Sequence, residues 1–182
     1  MIKTIENVLN NDECLEIIQE AKKYLTKMNV LGAKNDNYRV ANGTWINQPD
    51  YLIQKIRNLI IKETGLPIEN QEGFHVVNYE IGGEYKTHHD FFHPNTNYFE
   101  SQISRGGQRA YSCLIYLNDN FTGGETDFPK KDIKISPQTG KMVIWSNIEN
   151  GKLDHDSLHA GLPVITGEKW ISVIWVRENK FK

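Results

Sequence analysis

A helical opening followed by short β-branched runs predicts a mainly β, α+β chain, with helices packed on one face of an antiparallel double sheet. Three observations lead there. The first 70 residues carry two apolar stripes at helical spacing. From Gly73 onward the sequence shifts to short runs rich in Val, Ile, Tyr and Trp. Gly-Gly pairs and Asn-Asp dipeptides punctuate those runs as turns would. A jelly roll fits this succession.

The elements follow in chain order. Asn11 or Asp12 can cap a first helix running through Leu15, Ile17, Ile18, Ala21, Tyr24 and Leu25. A second helix starts at Pro49, a favoured first-turn residue, and ends near Gly65. Leu52, Ile53, Ile56, Leu59 and Ile60 form its apolar stripe. Strands are expected over residues 74–79, 110–117, 132–135, 141–145 and 170–176. Between Phe91 and Gln108 lies a long polar and aromatic connection, including His93-Pro94-Asn95 and Arg105-Gly106-Gly107. Connections of that length often serve as lids, and this one is expected to cover a substrate. The chain is expected to form one domain over residues 1–182, with a helical support region at 1–70 and a jelly-roll core at 71–182.

Composition narrows the function classes. A chain of 182 residues, 38% hydrophobic and 24% charged, suits a folded domain with a real core. A net charge of −2 gives no sign of a basic face of the kind that grips phosphate backbones, and a nucleic-acid partner is not expected. Cys14 and Cys113 are too few for a disulfide framework and are expected as reduced thiols, with Cys113 in the core. No run approaches the roughly 18 apolar residues of a membrane span, and the opening residues lack a secretion signal's apolar segment. No membrane partner is expected, and a cytoplasmic setting is.

Chemistry concentrates in a few residues. His88 and Asp90 stand two apart in an extended segment, so both side chains point to one side and His89 to the other. A histidine from a distant strand would complete a 2-His-1-carboxylate set, which suits Fe(II) and leaves coordination positions open. His155 and His159 both compete for that place. Lys169 begins an alternating run, with Ile171, Val173 and Trp175 on its own face and Trp170, Ser172, Ile174 and Val176 on the other. An ammonium facing the interior is costly unless a charge pairs with it. A solvent-facing lysine after Gly167-Glu168 is the ordinary alternative. Gly82-Gly83 and Gly123-Gly124 lack the spacing of phosphate-binding loops and serve as turns or bulges.

Four blocks set these residues in context: Tyr79-Glu80-Ile81-Gly82-Gly83-Glu84-Tyr85-Lys86-Thr87-His88-His89-Asp90-Phe91, Leu114-Ile115-Tyr116-Leu117-Asn118, Gly123-Gly124-Glu125-Thr126-Asp127-Phe128-Pro129, and His159-Ala160-Gly161-Leu162-Pro163-Val164 with Gly167-Glu168-Lys169-Trp170. From about Phe74 to Val176 the chain resembles, in order, the catalytic domain of the prolyl 4-hydroxylase family of Fe(II)- and 2-oxoglutarate-dependent dioxygenases. The resemblance implies a jelly roll, and it implies His88, Asp90 and His159 as iron ligands, because the family's His-Ala-Gly-x-Pro-Val context falls on His159. It implies Lys169 as the partner of the distal carboxylate of 2-oxoglutarate, with the Tyr79 hydroxyl beside it. Ser112 stands where many relatives carry threonine, which implies a polar contact to the cosubstrate. Tyr85 and Trp175 match aromatic positions at the substrate entrance. Arg177 stands near that entrance where some peptide-hydroxylating relatives carry histidine, which leaves the prime substrate open.

The implied reaction uses O₂ and 2-oxoglutarate to hydroxylate a C–H bond, releasing succinate and CO₂, with ascorbate dependence. The implied substrate is a proline-containing peptide or protein. Another side chain or a small molecule is the alternative. Nucleic-acid demethylation is weaker, because those relatives use arginine where Lys169 stands. A non-catalytic jelly-roll module that holds a metal for structure is the reading from another class. Closed structural sites usually have four protein ligands, and only three are visible here.

Overall fold

The computed structural model describes residues 1–28 and 38–182. In chain order the elements are β1 (Ile2–Ile5), α1 (Asn11–Lys22), β2 (Thr26–Lys27), β3 (Asn42–Ile46), α2 (Asp50–Thr64), β4 (Phe74–Tyr79), β5 (Tyr85–His88), α3 (Phe99–Ile103), β6 (Arg109–Tyr116), β7 (Thr122–Gly123), β8 (Thr126–Phe128), β9 (Ile133–Ile135), β10 (Met142–Ser146), β11 (Ile148–Glu149), β12 (Lys152–Leu153), β13 (His159–Gly161), β14 (Val164–Thr166) and β15 (Lys169–Arg177). A seven-stranded antiparallel sheet has the order β1-β10-β6-β15-β4-β3-β2, and a four-stranded sheet the order β5-β13-β8-β9. These two sheets make the expected jelly roll. No helix among the described residues is long and apolar enough to cross a membrane.

The two long helices, α1 and α2, pack on the outer face of the large sheet. Cys14, Ile17, Ile18 and Ala21 of α1 and Leu52, Ile53, Ile56 and Ile60 of α2 share one core with Phe74, Val76, Cys113, Ile115, Met142, Ile144, Trp170, Ile174 and Val176. The stripe of α1 is rotated from the expected one, leaving Leu15 and Tyr24 exposed and burying Cys14. Its cap is Asn10, not Asn11 or Asp12. Asn10 accepts from the Glu13 amide while Glu13 reaches back to the Asn10 amide. Of three adjacent cap-competent residues, the one with a glutamate three positions on closes the capping box. Helix α2 begins one residue after Pro49 and stops at Gly65.

The expected division at residue 70 is incomplete as a description of structure. β1 and β3 add strands from the N-terminal region to the large sheet, through pairing with β10 and β4. The Asn42-Gly43 pair imitates a hairpin turn, yet it lies inside β3. A side chain at Gly43 would strike Met28 and His75.

The inner face is a second core, built from Val77, Tyr79, Leu114, Tyr116, Phe128, Val143, Trp145, Ile171, Val173 and Trp175. The alternation expected along β15 is the one observed. Segment 91–108 is not structureless: it contains α3, and the C-terminal tail ties it down. The amides of Glu178, Asn179 and Lys182 donate to the carbonyls of Gln108, Gly106 and Arg105.

Candidate active site

β5 and β13 pair so that His88 and His159 are direct register partners. Opposed residues in an antiparallel ladder project from the same face. Their imidazole centroids are 4.2 Å apart. Asp90 follows β5 by two residues and turns onto the same side. His88 Nε2 lies 3.6 Å from Asp90 Oδ1, and His159 Nε2 lies 3.7 Å from Asp90 Oδ2. One ligand atom from each of the three residues falls within 4.8 Å of the others.

Hydrogen bonds fix which atoms face inward. His88 Nδ1 donates to the Lys86 carbonyl at 2.7 Å, and His159 Nδ1 donates to the Ser157 carbonyl at 2.9 Å. Each Nε2 therefore keeps its lone pair for a metal. Burial, and then the neighbouring His88, push the His159 pKa down to about 4, so this ring is neutral at ordinary pH. Burial acts to raise the Asp90 carboxyl. The His159 and His88 imidazoles and Arg109 overcome it and hold that group well below the usual carboxylate range. Two imidazoles with their Nε2 atoms turned inward and one ionised carboxylate, with no fourth protein ligand in the cluster among the described residues, fit an open-sided ferrous ion.

The cluster opens into a cavity of about 420 Å³, part of it open to solvent. Lys169 lines the same cavity and is 2% exposed. Its Nζ donates to the Gly124 carbonyl at 2.6 Å, and it pairs with no carboxylate among the described residues. Burial pushes its pKa down to about 7, against the pull of Glu125 and with a further push from Arg39. A dianion entering the cavity would supply the missing counter-charge.

Tyr79, Tyr85 and Trp175 also line the cavity. Tyr79 is the register partner of Lys169, and the Lys169 ammonium lies 5.1 Å from its ring centroid. Tyr85 stacks on the His88 imidazole at 3.5 Å. Two other residues stand elsewhere than expected. The Ser112 hydroxyl is committed to Asp90 Oδ2 at 2.6 Å, while Asn147 donates to Ser112 Oγ at 2.9 Å. Ser112 thus orients the Asp90 carboxylate and does not line the cavity. Arg177 does not face the entrance either. It is fully buried, donates to Glu72 Oε1 at 2.6 Å and holds the Gln102 and Gly107 carbonyls. The β-bulge at the end of β15 turns it toward segment 91–108.

Arg39 and Trp145 line the cavity without a sequence signal of their own, beside Thr126 of the block at residues 123–129. Arg39 precedes β3 and donates to the Tyr79 hydroxyl at 3.3 Å. His89 points away from the cavity and meets the His155 carbonyl at 3.0 Å. His155 is no rival ligand.

Comparison with known proteins agrees with this geometry. Residues 74–177 match the family model of the 2OG-Fe(II) oxygenase superfamily. The chain belongs to that superfamily. This oxygenase is 36% identical over 179 residues to a prolyl 4-hydroxylase-like protein of Acanthamoeba polyphaga mimivirus, covering 97% of this chain and 74% of the other. Prolyl 4-hydroxylase 2 of Arabidopsis thaliana is 34% identical over 206 residues, covering 97% of this chain and 67% of the other. The viral collagen prolyl hydroxylase of Paramecium Bursaria Chlorella virus-1, solved with 2-oxoglutarate, superposes with a TM-score of 0.78 at 28% identity, over 97% of this chain and 95% of the other. The oxygenase is an Fe(II)- and 2-oxoglutarate-dependent dioxygenase, which sets aside the reading of a non-catalytic module.

Proposed function

We propose that this oxygenase hydroxylates prolyl residues in a peptide or protein. In this reading His88, Asp90 and His159 hold Fe(II), and Lys169 with Tyr79 receives the distal carboxylate of 2-oxoglutarate. The observation that carries the reading is a buried ammonium, with no carboxylate partner among the described residues, in the same cavity as a His-Asp-His cluster. The prolyl hydroxylases among its relatives support the substrate class.

Bound Fe(II), with O₂ and 2-oxoglutarate, supplies the oxidation of the C–H bond as the cosubstrate is cleaved to succinate and CO₂. The chain's own residues bind and position. The Nδ1 hydrogen bonds aim both imidazoles, and Ser112 with Asn147 aims the carboxylate. Leu114, Ile171 and Val173 make an apolar wall that excludes water. Tyr85 and Trp175 offer flat faces to the entering substrate. Ascorbate is proposed to sustain activity when turnover proceeds without prime substrate.

A panel of proline-containing peptides incubated with Fe(II) and 2-oxoglutarate tests the reading by mass spectrometry. The expected result is the mass gain of one oxygen atom on proline. No gain on any peptide, alongside turnover of another substrate, would overturn it. His159→Ala is expected to abolish succinate formation, and full activity in that variant would remove His159 from the ligand set.

A further inference from the structure

Trp45, His75, Val173, Leu114 and Val143 are successive register partners across the large sheet. All five therefore project from the inner face, which lines the cavity. His75, Val173, Leu114 and Val143 are buried, whereas Trp45 is 55% exposed. An inner-face tryptophan in water marks where the two sheets part.

Its ring is held in place. Trp45 stacks on His75 with centroids 4.4 Å apart and planes 23° from parallel. A Cβ at Gly73 would stand 2.8 Å from the indole edge, so a glycine there leaves the ring its seat. Trp45 lies 6.2 Å from Trp175, which lines the cavity. A fixed aromatic surface thus runs from solvent to the reaction space. The Arg109 guanidinium sits 3.8 Å from the Trp175 ring centroid and disfavours a cationic side chain nearby. An uncharged ring suits this surface better.

We propose that Trp45 is an outer substrate subsite that takes the ring of a second prolyl residue, about two positions along the peptide from the prolyl residue that is hydroxylated, which lies against Trp175 in the cavity. The proposal rests on the prolyl-peptide reading above. Polyproline II rises about 3.1 Å per residue and turns once in three residues, so prolines two apart lie on adjacent edges of the helix about 6 Å apart along its axis, and two aromatic surfaces with centroids 6.2 Å apart can meet both. Proline-rich segments dock on aromatic grooves in this conformation because little ordering entropy remains to be lost.

The test compares a proline-rich decapeptide with a tripeptide holding a single proline. Trp45→Ala is expected to lower the ratio of kcat/KM for long over short peptide by about tenfold, the size of one lost aromatic contact, and Trp45→Phe to restore most of it. An unchanged ratio in Trp45→Ala overturns the proposal. A second measurement needs no protein variant. Replacing the proline two positions to either side of the hydroxylated one with alanine should, on one side, raise KM for the wild-type enzyme. The same replacement should cost nothing further in Trp45→Ala, and full additivity also overturns the subsite. If the wild-type enzyme hydroxylates neither peptide, the prolyl reading itself falls and takes this one with it.

Discussion

Lys169 shows how one buried charge can set a pH response. Its pKa lies near 7 in the ligand-free protein because burial disfavours the ammonium. Above that pH the group is neutral, and binding a dianion must draw a proton back onto it. The affinity for 2-oxoglutarate should therefore fall about tenfold per pH unit above pH 7. Titration calorimetry checks this, and Lys169→Arg, which stays charged, should flatten the slope. The folded pKa lies below the unfolded value of 10.5, so the ligand-free protein gains stability from this group as pH rises through that window. Ser112 carries a second prediction. Its hydroxyl aims the Asp90 carboxylate, so Ser112→Ala should weaken Mn(II) binding about 10- to 100-fold. Electron paramagnetic resonance measures this directly, and Ser112→Thr should retain most of the affinity.

At the scale of elements, Glu72 joins three parts of the fold. It precedes β4 and accepts from Arg109 of β6 through two bonds, at 2.7 and 2.9 Å, and from Arg177 of β15 at 2.6 Å. Burial alone would raise its carboxyl, but the two guanidiniums hold it below the usual range. Removing the acid would leave two arginines without their counter-charge. Glu72→Ala should destabilise the fold by about 3–5 kcal/mol, seen as a lower urea midpoint. Arg177 also grips the carbonyls of Gln102 and Gly107. Arg177→Met should therefore speed tryptic cleavage after Arg105, with the strands of the large sheet remaining protected from amide exchange.

At the scale of the molecule, the site joins the two sheets. His88 and His159 come from the small sheet, while Lys169 and the Ser112 anchor of Asp90 come from the large one. Ligands that bind only this assembled arrangement stabilise it by mass action. Mn(II) with 2-oxoglutarate, each at a hundred times its dissociation constant, should each contribute about 2.7 kcal/mol. Thermal unfolding would show the rise, and His159→Ala should remove the metal's part of it.

Local periodicity was legible from residue order alone. Alternation assigned the two faces of β15, and a two-residue step put His88 and Asp90 on one side while turning His89 away. The quoted blocks, through their family resemblance, set His159 ahead of His155. Tertiary structure decided the rest, because those outcomes depend on partners far away in the chain. Ser112 bonds to the Asp90 carboxylate, 22 residues away. Arg177 turns from the entrance toward an acid 105 residues away. β3 is a strand despite its Asn-Gly pair because β4 offers a ladder to complete. Trp45 comes within 6.2 Å of Trp175 only because that ladder sets it against His75, a neighbour no local pattern specifies.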